Sequence, residues 1–105
     1  TALFVIAAAG SGMSLDAVSR VIQGLAAGIG FIGAGAILKL SETREIKGLT
    51  TAAGIWMTAA IGVTVGLGAL GLALLGTLLT WMVLASIGII EYRQNKRSAA
   101  KDETQ

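Results

Sequence analysis

Residues 48–90 read GLTTAAGIWMTAAIGVTVGLGALGLALLGTLLTWMVLASIGII and contain no Asp, Glu, Lys or Arg. A short glycine-rich joint at residues 66–71 divides this stretch into two apolar segments, 49–67 and 70–90, of 19 and 21 residues. A helix of roughly 20 apolar residues is long enough to cross the hydrocarbon core of a bilayer. Each segment is therefore predicted to be a transmembrane helix.

A third uncharged segment of 18 residues lies upstream, at residues 21–38. The first ten residues, TALFVIAAAG, are apolar but too short to span alone, so we predict a partial helix that begins before Thr1; an interfacial segment is the alternative. The predicted fold is an all-α integral membrane bundle. Its helices lie at about 1–10 (partial), 18–40, 48–67 and 70–91, in a transmembrane domain over 1–92 that a polar tail at 93–105 follows.

Composition supports the membrane and excludes the usual enzyme chemistry. Of the 105 residues 54% are hydrophobic and 13% charged, whereas ordinary soluble domains carry about 25% charge. Mean hydropathy is +0.79. Cysteine and histidine are absent, which removes thiol nucleophiles, imidazole bases and most zinc or haem ligation. The sequence therefore predicts a lipid-embedded protein with no catalytic residue, metal site, cofactor or nucleic-acid partner.

The basic residues indicate how the helices are oriented. Lysine and arginine accumulate on the cytoplasmic side of membrane proteins. Arg20 alone lies on one predicted face, while seven basic residues lie on the other: Lys39, Arg44, Lys47, Arg93, Lys96, Arg97 and Lys101. The loop at 39–48 and the C-terminus are thus predicted to be cytoplasmic, in the inner membrane of a bacterium.

Small residues recur at spacings that place them on common helix faces. Close packing at small residues drives the association of helices in lipid. Helix breaks that expose the backbone to a transported solute are the alternative. The predicted packing positions are Gly24, Gly28, Gly30, Gly33 and Gly35 in the second segment and Gly54, Thr58, Gly62 and Gly66 in the third.

The run GIGFIG at residues 28–33 matches G-x-G-x-x-G, a pattern that binds dinucleotides when it follows a strand and opens a helix. Here it lies inside an uncharged segment with no preceding strand pattern. Nucleotide binding is therefore not predicted.

Near the predicted helix ends lie the few residues that form a candidate functional patch. Lys47 and the GLTT stretch at 48–51 are expected to open the third helix, where free amide groups favour anions. In a purely structural interpretation Lys47 extends to the interface and the two threonines cap the helix. The patch comprises Arg20, Gln23, Lys47, Gly48, Thr50 and Thr51. Ser14 is predicted to cap the helix of the second segment, and Ser41 to Glu45 to start a short cap before the third segment.

Two runs resemble the MgtC/SapB family of bacterial inner-membrane proteins: RVIQGLAAGIGFIGAG at residues 20–35 and KGLTTAAGIWMTAAIG at 47–62. The motifs are GIGFIGAG at 28–35, GLTTAA at 48–53, Trp56 and AAIG at 59–62, and the resemblance covers about the middle half of the chain. It implies a role in growth at low magnesium and in survival inside host cells. It also implies regulation through membrane partners, the rotary ATP synthase among them, and not a magnesium pump.

The leading hypothesis is a non-enzymatic membrane regulator that acts through helix contacts with a second copy or another membrane protein. The alternative is a transporter or channel for ions or small solutes, with Gln23, Thr50 and Thr51 as a polar site where two helix ends meet.

Overall fold

A computed structural model describes residues 1–40 and 45–104, apart from the side chains of residues 40, 45–47 and 102. Within these ranges the chain forms four helices and no strand. The helices are α1 (Ala2–Gly10), α2 (Leu15–Leu40), α3 (Glu45–Gly66) and α4 (Leu70–Asp102). The predicted start of a cap at Ser41 falls outside the described residues.

Three of the helices, α2, α3 and α4, are long and apolar enough to cross a membrane. The predicted all-α membrane bundle with three full spans and a short N-terminal helix is therefore confirmed. α3 is the central helix and contacts each of the other three, while α1 also contacts α2. Short connections make α2, α3 and α4 alternate in direction.

The helices extend beyond the predicted bounds, by three residues at the start of α2 and α3 and by eleven at the end of α4. The added residues include Glu, Lys, Arg, Gln and Ala, which favour helix where no apolar pattern marks it. At 1.5 Å per residue α4 is about 50 Å long. The longest dimension of the bundle is 68 Å, more than the roughly 40–45 Å of a whole bilayer, so part of the chain projects from the membrane.

The start of α2 is capped as predicted. Ser14 Oγ accepts a hydrogen bond of 3.3 Å from the backbone N–H of Ala17, and Asp16 lies in the first turn. Together they satisfy a free amide and place negative charge at the positive end of the helix dipole.

A glycine in the left-handed region makes the short turn between α3 and α4 possible. Gly68 has φ +77°. Its N–H donates to the Val65 carbonyl at 3.0 Å, and the N–H of Ala69 donates to the Thr64 carbonyl at 2.9 Å. These two bonds form a Schellman motif, which closes the end of α3 and lets α4 begin at Leu70.

The interior consists almost entirely of small residues, as expected for helices packed in lipid. Only six hydrophobic residues of the described chain are buried: Val5, Ala8, Val18, Ala52, Ala59 and Ala73. Large apolar side chains lie on the outside instead, for example Leu3, Phe31 and Trp81, which are 80%, 84% and 70% exposed. Such a surface is compatible with a hydrocarbon solvent and not with water.

The predicted orientation can be tested because the natural sequence contains no cysteine. Ser98 in α4 and Ala69 in the turn before it are both exposed and lie at opposite ends of the bundle. A membrane-impermeant maleimide is expected to label cysteine at Ala69 in intact cells and cysteine at Ser98 only after permeabilisation. Labelling of Ser98→Cys in intact cells would reverse the orientation.

Candidate functional site

The residues of the predicted patch that belong to α3 lie together in its first two turns. Gly48 is buried, Thr50 is half-buried and Thr51 is exposed. α2 ends at this same end of the bundle, where it carries Lys39. The C-terminal part of α4 projects beyond this end. Lys47 belongs to α3 by its backbone, and its side chain lies outside the described part of the chain.

The prediction that Thr50 and Thr51 cap α3 is wrong. The helix begins at Glu45, so both threonines lie more than one turn inside it. Residues 45–47 extend the helix because glutamate, isoleucine and lysine are all compatible with it. Free amide groups belong to the first four residues of a helix, so the anion-favouring end lies before the threonines. Both threonines have interactions of their own.

The predicted meeting of Gln23 with Thr50 and Thr51 is also wrong, because α2 and α3 are antiparallel. Gly33 of α2 lies beside Ala52 of α3. Gln23 precedes Gly33 by ten residues, toward the far end of the bundle, so it lies about 18 Å from Thr50 along the axis. Arg20 lies one turn farther away, and both far-end side chains are exposed.

Hydroxyl groups elsewhere in the spans bond to their own helix backbone. Thr58 Oγ1 donates to the Gly54 carbonyl at 2.8 Å, Thr80 Oγ1 to the Gly76 carbonyl at 2.7 Å and Ser86 Oγ to the Met82 carbonyl at 2.8 Å. Thr64 and Thr77 make equivalent bonds. This is the pattern expected of hydroxyl side chains in apolar helices, and it satisfies these groups without any ligand.

The glycines of α2 divide between two faces of the helix. A Cβ placed on Gly33 lies 3.5 Å from the Trp56 indole, and one on Gly30 lies 3.7 Å from it. Gly24, Gly28 and Gly35 have nothing within 4 Å of such an atom in the described chain. At 100° per residue Gly28 and Gly30 differ by about 200°. The GIGFIG run therefore supplies one inner and one outer glycine face, which suits helix packing.

Two glycines of α3, Gly62 and Gly66, lie against the N-terminal residues of the chain. A Cβ on Gly66 lies 2.6 Å from Val5 Cβ, and one on Gly62 lies 2.9 Å from Thr1 Cβ. Gly54, at the other end of the same track, is open, and its face borders a groove of about 450 Å³ that Thr51 and Thr58 also line. For Gly54 and for the outer glycines of α2, helix packing stays a prediction.

Sequence reasoning missed two packing contacts. Trp56 covers the inner glycines of α2, and Gly76 of α4 faces Ile61 of α3, with 3.5 Å from a Cβ at Gly76 to Ile61 Cγ1. In both cases the sequence contains a glycine at the same depth in the bundle as a large residue of the neighbouring helix. Among the described residues no group of three or more His, Cys, Asp or Glu could hold a metal ion.

Comparison with known proteins places these features in a family. The model of the MgtC family matches residues 1–93, considerably more than the middle half that carries the sequence resemblance. The chain is 47% identical to protein SrpB of Synechococcus elongatus over 78 residues, 69% of this chain and 43% of SrpB. It is 44% identical to the putative magnesium transporter YhiD of Escherichia coli K12 over 77% of this chain and 39% of YhiD.

Protein MgtC of Salmonella typhimurium is 42% identical over 66 residues, which cover 63% of this chain and 28% of MgtC. The chain thus spans less than half the length of these relatives. No solved structure gives a significant match. With a family match over nearly all of its apolar sequence, this chain belongs to the MgtC family.

Proposed function

We propose that this chain acts as a non-enzymatic membrane regulator in adaptation to low magnesium or to stress, through helix contacts with a membrane partner. The observation that carries the proposal is the outer face of α2. Gly24, Gly28 and Gly35 lie on this face, and each leaves space for an approaching backbone. Family membership and the magnesium-related name of one relative support the physiological setting.

The outer face of α2 has the shape that a second helix needs. A shallow groove of about 380 Å³ runs along it, with Gly24 and Gly28 at its floor and Phe4 and Ile32 among its walls. In lipid, small residues spaced four apart allow two helix backbones to approach and gain van der Waals contact. A partner helix seated here leaves the inner glycine face, with Trp56, undisturbed.

The partner is a second copy of this chain or another integral membrane protein. The resemblance to the MgtC/SapB family favours a regulated membrane enzyme such as the rotary ATP synthase. In this proposal the chain lies in a bacterial inner membrane, with the loop at 39–48 and the C-terminal end of α4 in the cytoplasm. The patch at Lys47, Gly48, Thr50 and Thr51 then faces the cytoplasm beside the partner.

Gly28→Leu tests the proposal, with Gly88→Leu as its matched control. Both glycines are helical and have nothing within 4 Å of an added Cβ in the described chain. Only Gly28 lies in the proposed contact face. We expect Gly28→Leu to reduce co-purification of the partner about tenfold, equivalent to roughly 1.4 kcal/mol, and to abolish support of growth at low magnesium.

Gly88→Leu is expected to behave as the unsubstituted protein in both assays, at equal abundance in the membrane. If Gly28→Leu and Gly88→Leu support growth and partner binding equally well, the outer face of α2 is not the contact surface and the proposal fails.

A transporter is the second candidate, because one relative carries the name putative magnesium transporter. Gln23 lies about 18 Å from Thr50 along the bundle axis, so the three residues considered for a polar transport site do not form one and a pathway has to use other groups. Flux of magnesium into vesicles that contain the purified chain, above the flux into empty vesicles, is the result that would favour this function over regulation.

A further inference from the structure

A groove beside α3 lies directly in line with α1. It has a volume of about 450 Å³, and Thr1 lines one end of it. Ile29 of α2 forms one side, and the α3 side consists of Thr51, Gly54, Ile55, Thr58 and Ala59. The groove includes none of the outer glycines of α2, so it is separate from the contact face of the proposed function.

The groove continues the interface between α1 and α3. A Cβ on Gly62 lies 2.9 Å from Thr1 Cβ, and four residues later along both helices a Cβ on Gly66 lies 2.6 Å from Val5 Cβ. The two helices therefore run parallel. Gly54 precedes Gly62 by eight residues on the same track and has nothing within 4 Å of an added Cβ in the described chain. A helix that follows the axis of α1 backward from its first residue thus enters the groove along this track.

The start of α1 needs hydrogen-bond acceptors that lipid in the groove does not provide. The first four N–H groups of a helix have no partner within it, and Thr1, the N-cap residue, makes no side-chain cap hydrogen bond. Thr1 is level with Gly62, inside the apolar span of α3 at residues 48–66, where lipid leaves such groups unsatisfied. A preceding helical turn satisfies them, because each of its carbonyls accepts from the N–H four residues later. The carbonyls of a second copy's helix are bonded within that helix.

The length of the groove matches the part of a membrane span that α1 lacks. Thr51 precedes Gly62 by eleven residues, or about 16.5 Å along α3. α1 has 9 residues, or about 13.5 Å. The sum is about 30 Å, the thickness of the hydrocarbon core. We propose that the groove is the seat of an apolar helical segment of about eleven residues that is joined to Thr1 and completes α1 as a fourth span.

The relatives SrpB and YhiD are long enough to hold such a segment, because this chain matches only 43% and 39% of them.

Disulfide formation in the polypeptide that the gene encodes tests this contact. One cysteine replaces the fourth residue before Thr1, and the other replaces Thr58, the fourth residue before Gly62. Ala60→Cys is the matched control, because Ala60 is exposed like Thr58 but lies about 200° around α3 from it. With copper phenanthroline as oxidant, we expect a disulfide within one chain to form about tenfold faster with Thr58→Cys than with Ala60→Cys. Equal rates, or disulfides between two chains in place of one within a chain, would overturn the proposal.

Gly54→Leu tests the packing in the groove, with Gly88→Leu as its control. Both positions have nothing within 4 Å of an added Cβ in the described chain, so residues 1–105 alone should tolerate both leucines equally. In the polypeptide with its upstream segment, we expect Gly54→Leu to lower the ratio of folded to unfolded protein in bicelles about tenfold and Gly88→Leu to leave it unchanged.

The same effect of Gly54→Leu in both polypeptides would overturn the proposal. An intact mass showing that the mature protein begins at Thr1 would do so as well. If Gly54→Leu does not fold, the disulfide rates at Thr58 and Ala60 decide the matter, because both of these side chains are exposed.

Discussion

Replacement of Gly66 by leucine is expected to detach α1 from α3 and to lower the free energy of unfolding by about 3 kcal/mol, the upper part of the range for overpacking. A Cβ at this position already lies 2.6 Å from Val5 Cβ and 3.0 Å from the Ala2 carbonyl oxygen. Val5 is 0% exposed and has no free space to enter. The backbone of α1 must therefore move away as a unit.

Unfolding of the full chain in bicelles measures this loss, with Gly88→Leu as a control in open surroundings. Gly62→Leu is expected to have an intermediate effect, because the 2.9 Å contact of its Cβ is with Thr1, before the first turn of α1. Cysteine in place of the buried Ala8 measures directly whether α1 has moved away from α3. We expect a lipid-soluble maleimide to label this cysteine faster in the Gly66→Leu variant. Equal stability of the Gly66 and Gly88 variants would show that α1 does not depend on this contact.

Trp56→Ala is expected to lower the free energy of unfolding by about 2 kcal/mol, below the 3–5 kcal/mol typical of a fully buried tryptophan. Trp56 is 46% exposed, and the rest of its ring covers the inner face of α2 at Gly30 and Gly33. Alanine leaves a gap between α2 and α3, so the van der Waals contact of the ring with α2 is lost.

Trp81→Ala is the matched control for this substitution. Trp81 is 70% exposed on α4, and lipid replaces most of its contacts when the ring is removed. Titration with a denaturing detergent should therefore shift the midpoint for Trp56→Ala and leave it close to that of the unsubstituted chain for Trp81→Ala. Similar shifts for both would mean that Trp56 contributes only as a lipid-facing residue.

The spans could be predicted from sequence because the physical requirement is simple. A bilayer demands a minimum length of apolar helix, and residues 21–38, 49–67 and 70–90 meet or approach it. The ends could not be predicted, because a helix continues past the apolar pattern wherever polar helix formers follow, as at Glu45 and beyond Ile90.

The candidate site was predictable only in part. Periodicity shows that Gly24 and Gly28 share a face, but it does not show which face of α2 meets α3. Gly30 and Gly33 take that role because Trp56 lies level with them. The grouping of Gln23 with Thr50 failed for a related reason. Both lie in the N-terminal half of their helix, but the antiparallel arrangement of α2 and α3 separates them by about 18 Å along the bundle axis.

The continuous α4 has a mechanical consequence. Beyond the apolar residues it extends as one helix through Asp102, an arm of about 18 Å outside the hydrocarbon core. Membrane helices change their tilt when bilayer thickness or neighbours change. A stiff arm converts a small tilt into a displacement at its tip, so a change of about 10° within the membrane moves the basic end of α4 by about 3 Å. The position of this end outside the membrane therefore depends on the tilt of the helices within it.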